Sequence, residues 1–183
     1  MEKKDLKPAG VFKYFEEICQ VPRPSKKEEK MIAYLKTFGA KHNLETKVDE
    51  AGNVLIKKPA TPGKENLQTV VLQSHIDMVC EKNNDVQHDF LTDPIETEID
   101  GEWLKAKGTT LGADNGIGVA TELAILADDS IEHGPLECLF TVDEETGLTG
   151  AFALQEGFMS GDILLHLDSE DEGEIFIGCA GGI

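Results

Sequence analysis

The 183 residues hold 17 Lys and Arg against 35 Asp and Glu, a formal net charge of −18. That balance excludes nucleic acid and an anionic membrane surface as partners, since both demand positive charge. Hydrophobic residues at 40% are enough for a packed core, and the surplus carboxylates read either as a solvated acidic surface or, in part, as groups gathered to hold cations.

From the N-terminus, Met1-Glu2-Lys3-Lys4-Asp5 leads into no apolar run of the signal-peptide kind, and no window is long and apolar enough to span a bilayer. Cys19, Cys80, Cys138 and Cys179 are widely spaced without a CxxC, so reduced thiols in a cytoplasmic protein are expected. Val11, Phe12, Phe15, Ile18 and Cys19 have helical spacing and predict a helix over Pro8 to Gln20. Val21-Pro22-Arg23-Pro24 breaks it. Ser25 then opens a second helix, with Glu28 three residues later as a capping box and Met31, Ile32, Leu35 and Phe38 as its apolar face. Thr46 to Lys58 reads as a hairpin turning at Ala51-Gly52-Asn53.

Val70-Val71-Leu72-Gln73-Ser74 is a buried strand that ends in His75-Ile76-Asp77. Glu81 to Pro94 is a polar loop in which His88 lies at the surface. Asp100-Gly101 turns the chain before Trp103-Leu104. Thr109 to Gly116 is a small-residue loop, and a helix follows from about Ile117 to Ala127. Leu136 to Val142 is a second buried strand, closed by Asp143-Glu144-Glu145-Thr146-Gly147, and a short helix carries Ala151, Phe152 and Leu154. Ile163 to Leu167 is a third apolar strand, ending in Asp168-Ser169-Glu170, and Glu174 to Cys179 starts another. Strands alternate with helices, so an α/β fold with a mostly parallel central sheet flanked by helices is expected.

In open α/β sheets ligands sit beyond the carboxyl ends of the strands. His75/Asp77, Glu144/Glu145 and Asp168 follow buried strands, and Asp114 lies in the glycine loop. Residues i and i+2 of an extended segment point the same way, so His75 can bind a metal while Asp77 orients it. One imidazole and several carboxylates suit Zn²⁺ or Mn²⁺. Taken singly, each acid also reads as a loop acid, and Asp114 as a cap for the helix after it. Adjacent Glu144 and Glu145 repel each other, and a cation relieves that repulsion. Hydrolysis by a pair of cations needs a bridging carboxylate, for which Asp114 is the candidate. It also needs a general base free of metal, for which one of Glu144 and Glu145 must serve.

His75-Ile-Asp77, Gly112-Ala-Asp114-Asn-Gly116, Asp143-Glu-Glu145-Thr-Gly147 and Leu167-Asp168-Ser-Glu170 resemble, in order, the motifs of the dinuclear zinc aminopeptidase/carboxypeptidase/aminoacylase clan. Ser74-His-Ile-Asp-Met-Val-Cys80 and Gly178-Cys-Ala-Gly-Gly182 resemble its bacterial Xaa-His (aminoacylhistidine) dipeptidase branch. The resemblance implies two divalent cations, zinc first, with manganese or cobalt as alternatives. His75 and Asp168 would hold one, Glu145 the other and Asp114 both. Glu144 would be the general base and Asp77 the partner of the His75 imidazole. It also implies a cis peptide at Asp114-Asn115, a dipeptide substrate and a homodimer of the full-length enzyme.

The family has a further His ligand and a lid domain beyond the Gly-Gly stretch, to which nothing here corresponds. His166, inside an apolar strand, is expected in the core. Residues 1–183 are therefore expected to be the N-terminal portion of the catalytic domain, inactive alone, with the lid and the rest of that domain absent. Other readings are a deacylase or tripeptidase of the same clan, or a non-catalytic metal- or peptide-binding fragment.

Overall fold

The computed structural model of the chain describes residues 2–169 and 173–178. The strands are β1 (Glu45–Val48), β2 (Val54–Lys58), β3 (Val70–His75), β4 (Thr97–Asp100), β5 (Trp103–Ala106), β6 (Leu136–Thr141) and β7 (Ile163–His166). The helices are α1 (Ala9–Cys19), α2 (Glu29–Lys41), α3 (Ala113–Ala127) and the short α4 (Thr149–Ala153). Five strands form one sheet in the order β1-β2-β6-β3-β7, and β4-β5 is a separate hairpin. The strand β2 is antiparallel to both of its neighbours, while β6, β3 and β7 are mutually parallel. Only β2 therefore runs against the others, and the central sheet is mostly parallel as expected.

Register follows from the apolar runs. β3 and β6 align Val70 with Leu136 and His75 with Thr141, and β7 sets Ile163 beside Val70 and His166 beside Gln73. Parallel pairing brings the carboxyl ends of all three strands to one end of the sheet, so the segments after them emerge together.

The main core lies on one face. There Tyr14, Phe15 and Ile18 of α1, Met31, Leu35 and Phe38 of α2, and Val119 and Leu123 of α3 pack on Ile56, Leu72, Cys138 and Phe140. Period 3.6 on the helices and period 2 on the strands select those positions. On the other face Leu55, Val71 and Leu139 form a smaller cluster against Leu154, Phe158 and Met159. Leu164, paired with Val71, is 48% exposed there. No helix among the described residues is long and apolar enough to cross a membrane.

Three local expectations fail. The capping box does not form: Glu28 itself stands at the N-cap of α2 with no side-chain cap bond, because Ser25 and Glu28 have partners across the fold. The strand β7 is apolar yet exposed at every position, so His166 lies at an open edge with its side chain 56% exposed. It is not in the core. Glu174 to Gly178 has no strand structure, while Glu170, Cys179 and Gly181-Gly182 lie outside the described residues. Cys19 and Cys138 are buried free thiols and Cys80 is half-buried.

Candidate metal centre

His75 closes β3, and the chain continues extended enough for Ile76 N to donate to Thr141 O at 2.9 Å. Asp77 then turns back beneath the imidazole. It is fully buried and saturated with donors. Oδ1 accepts from His75 Nδ1 at 3.2 Å and from Glu144 N at 3.0 Å; Oδ2 accepts from Ser25 Oγ at 2.7 Å and from Glu145 N at 3.2 Å. The last two backbone donors are aimed at Asp77 by Asp143, which takes the left-handed conformation at φ 48.

One carboxylate thus ties the β3 exit to the β6 exit. Burial raises its pKa, but the bonds from His75, Glu144 N and Ser25 outweigh burial and hold it near 2. An ionised carboxylate only accepts, so His75 carries a proton on Nδ1 and turns Nε2 toward the remaining acids.

Around Nε2 lie Asp114 Oδ1 at 3.0 Å, Asp168 Oδ2 at 3.9 Å and Glu144 Oε2 at 4.0 Å. Asp114 comes from the start of α3, where it and Asn115 leave helical geometry and the Asp114-Asn115 peptide is cis. Its carboxylate is spent on His75, and the N-cap residue of α3 is Gly112, so it does not act as a helix cap. Asp168 is set by Leu167 N, which donates to Gln73 O at 2.9 Å and prolongs the β3–β7 pairing.

Two sets, His75/Asp114/Asp168 and His75/Glu144/Glu145, each offer ligand atoms within 4.8 Å of one another. All six residues singled out from the sequence therefore meet at one place. His166 Nε2 stands 3.8 Å from Asp168 Oδ2 and its Nδ1 contacts Gln73 Oε1. His88 packs on Phe90, away from this cluster.

The electrostatics are those of crowded anions. Partial burial comes first, and then neighbouring charge raises Glu144 through Asp168, Asp77 and Asp114, and Glu145 through Asp114 and Glu144, against the opposing pull of His75. Asp168 is raised by burial and by Asp114. His75 would lose its proton on burial, but bonds and charges from Asp77 and Asp114 lift its pKa to about 9. The cluster thus gathers negative charge that one imidazolium offsets only in part and that a divalent cation would offset further.

Three residues of the α1–α2 connector were missed by sequence reasoning. Arg23 is buried beneath the site, Ser25 holds Asp77, and Glu28 Oε1 accepts from Asp143 N at 3.0 Å and from Lys26 N at 2.9 Å. The Ser-x-x-Glu spacing was visible but pointed to a helix cap.

A profile described as Peptidase family M20/M25/M40 matches residues 71–179. The chain belongs to that family. The cytosol non-specific dipeptidase of Escherichia coli (strain K12) is 53% identical over 182 residues, which are 100% of this chain and 38% of the relative. The crystal structure of aminoacylhistidine dipeptidase from Vibrio alginolyticus matches with a TM-score of 0.94 at 56% identity, over 98% of this chain and 36% of that one. Aminopeptidase PepT from Bacillus cereus ATCC 10987 matches with a TM-score of 0.75 at 26% identity, over 88% and 43%. The chain spans well under half the length of each of these relatives.

Proposed function

We propose that these residues are the metal-holding part of a cytoplasmic dipeptidase that hydrolyses the peptide bond of unblocked dipeptides, Xaa-His among them. The observation that carries this is the convergence of His75, Asp114, Glu144, Glu145 and Asp168 in a chain of this peptidase family. The donor set fits zinc, with manganese or cobalt as alternatives: one imidazole nitrogen, carboxylate oxygens and no thiolate among the described residues of the cluster. His75 and Asp168 would hold one cation, Glu145 the other, and Asp114, between them, both. When bound, the cations would polarise the scissile carbonyl and acidify water.

The remaining work falls to the chain. Asp77 keeps the His75 proton on Nδ1 and fixes the ring. Glu144, 4.0 Å from His75 Nε2, takes a proton from the attacking water and passes it to the leaving amine. Beside Glu144 the thinly covered sheet face forms a cavity of about 200 Å³ between Leu139, Leu148, Leu154 and Leu164. Within the same proposal, a lid and the rest of the catalytic domain lie outside these 183 residues. The length of the relatives supports this.

The test compares the protein isolated from its source cell with the 183-residue chain. Both are given zinc or manganese and offered Xaa-His and other dipeptides, a tripeptide and N-acylated amino acids. Dipeptide turnover by the cellular protein, lost on chelation and at least about 10²-fold lower in the chain, is expected. Cleavage of acylated amino acids alone would make it a deacylase. Turnover indifferent to chelation would remove the metal, and equal turnover by the chain would remove the need for other domains.

A further inference from the structure

Arg23 is 2% exposed, yet among the described residues its guanidinium meets no carboxylate within ion-pair distance. It donates to backbone carbonyls instead. Nη1 bonds Ile76 O and Asp77 O, each at 3.1 Å, and Nη2 bonds Gly112 O at 2.5 Å. The first two carbonyls belong to the β3 exit that carries His75. The third belongs to the loop that carries Asp114 two residues on. In return, Met78 N donates to Arg23 O at 3.2 Å, and Pro24 bridges Met78 in parallel.

The surroundings are shaped to admit the fork. A Cβ added at Gly112 would lie 2.6 Å from Nη2, and one added at Gly116 would lie 2.7 Å from it. Both glycines leave the space the guanidinium fills. A buried cation without a carboxylate partner is costly, and burial works against its charge here. What the site gains is a rigid planar donor set reaching two loops at once, which a lysine cannot reproduce.

We propose that Arg23 is a positioning residue of the metal centre, its guanidinium fixing the spacing between the His75 exit and the Asp114 loop and hence the approach of His75 Nε2 to Asp114. This rests on the reading of the cluster as a cation site. Ser25 on Asp77 and Glu28 on Asp143 N extend the same bracket to the β6 exit. The α1–α2 connector therefore supports three of the four segments that bring ligands together.

The test uses the protein with Arg23→Met, Arg23→Lys and, as a ligand control, His75→Ala. Each is followed by thermal unfolding and by titration with Co²⁺, read as affinity and as the visible ligand-field spectrum. The unsubstituted protein binds cobalt with a defined spectrum and the His75 variant loses it. Arg23→Met and Arg23→Lys unfold cooperatively but bind about 10- to 100-fold more weakly with an altered spectrum, the range typical for groups that orient metal ligands.

Wild-type affinity and spectrum in a folded Arg23→Lys protein would overturn the proposal, because charge without the fork would then suffice. Loss of the folded state in both Arg23 variants would overturn it too, making Arg23 a determinant of the fold. Absence of cobalt binding in the unsubstituted protein, or binding indifferent to His75→Ala, would instead refute the cation site itself.

Discussion

Asp77→Asn tests how much of the site's architecture hangs on one carboxylate. Each Asp77 oxygen receives two donors: His75 Nδ1 and Glu144 N on one, Ser25 Oγ and Glu145 N on the other. An asparagine keeps one oxygen and turns an NH₂ toward the other two donors, whichever way it sits. The Ser25 hydroxyl or the His75 ring can reverse its role and accept from that NH₂, but the backbone N–H of Glu144 or Glu145 cannot, and an orphaned buried donor costs about 1–3 kcal/mol. Removing one member of a buried charge pair gives an independent figure of about 3–5 kcal/mol.

With a urea m-value of about 2–3 kcal/mol/M, the unfolding midpoint should fall by about 1–2 M. The pH dependence carries the sign. Asp77, held near 2 against an ordinary 3.8, contributes stability above pH 3.8 that is lost as pH falls toward 2. His75, raised to about 9 from 6.5, contributes stability below pH 6.5 that is lost as pH rises through 9. The deficit of the variant should therefore be largest between about pH 4 and 6.5 and shrink toward pH 9. A midpoint shift under about 0.5 M at pH 5.5, with unchanged m, would refute the anchoring role.

Glu144→Gln should keep its metal content and lose about 10²–10⁴-fold in turnover in the cellular protein, whereas Glu145→Gln should lower metal content. Elemental analysis beside kinetics decides, and the reverse pattern would swap the two roles. Zinc at 100 times its Kd should stabilise the protein by about 2.7 kcal/mol, and His75→Ala should abolish the rise in melting temperature. Glu122 is fully buried on α3 facing Ser74 and Cys138, and burial pushes its carboxyl well above the ordinary carboxylate range. The unfolded chain releases the carboxyl proton above its ordinary 4.5 and the folded chain only at higher pH, so stability falls with rising pH by up to about 1.4 kcal/mol per unit. Glu122→Gln should flatten that slope between pH 5 and 8, and parallel urea-midpoint curves would show that Glu122 is ionised in the fold.

What was legible in the sequence was local. The apolar runs at Val70–Leu72, Leu136–Phe140 and Ile163–Leu165 announce strands because their periodicity needs no distant partner. The polar residues after them announce a site because parallel strands deliver their ends to one edge. Which side of a strand is covered is not local. β7 reads like β6 along the chain, yet β6 lies between two strands with helices above it while β7 is an edge. That is why His166 was expected in the core.

The connector failed for the same reason in sharper form. Ser25-x-x-Glu28 matches the pattern of a helix cap, and a cap would satisfy backbone donors within three residues. The fold offers these side chains better uses 52 and 115 residues away, at Asp77 and Asp143 N. The Asp77 carboxylate, which accepts from Ser25, and the Asp143 N–H, which donates to Glu28, are buried and cannot turn to water, whereas the first N–H groups of α2 can. Free energy therefore favours spending Ser25 and Glu28 on the site, with α2 starting at Glu29 without a side-chain cap. Arg23 follows the same logic: flanked by Pro22 and Pro24 it reads as a helix breaker, and its three carbonyl partners exist only once β3 and the Asp114 loop have come together.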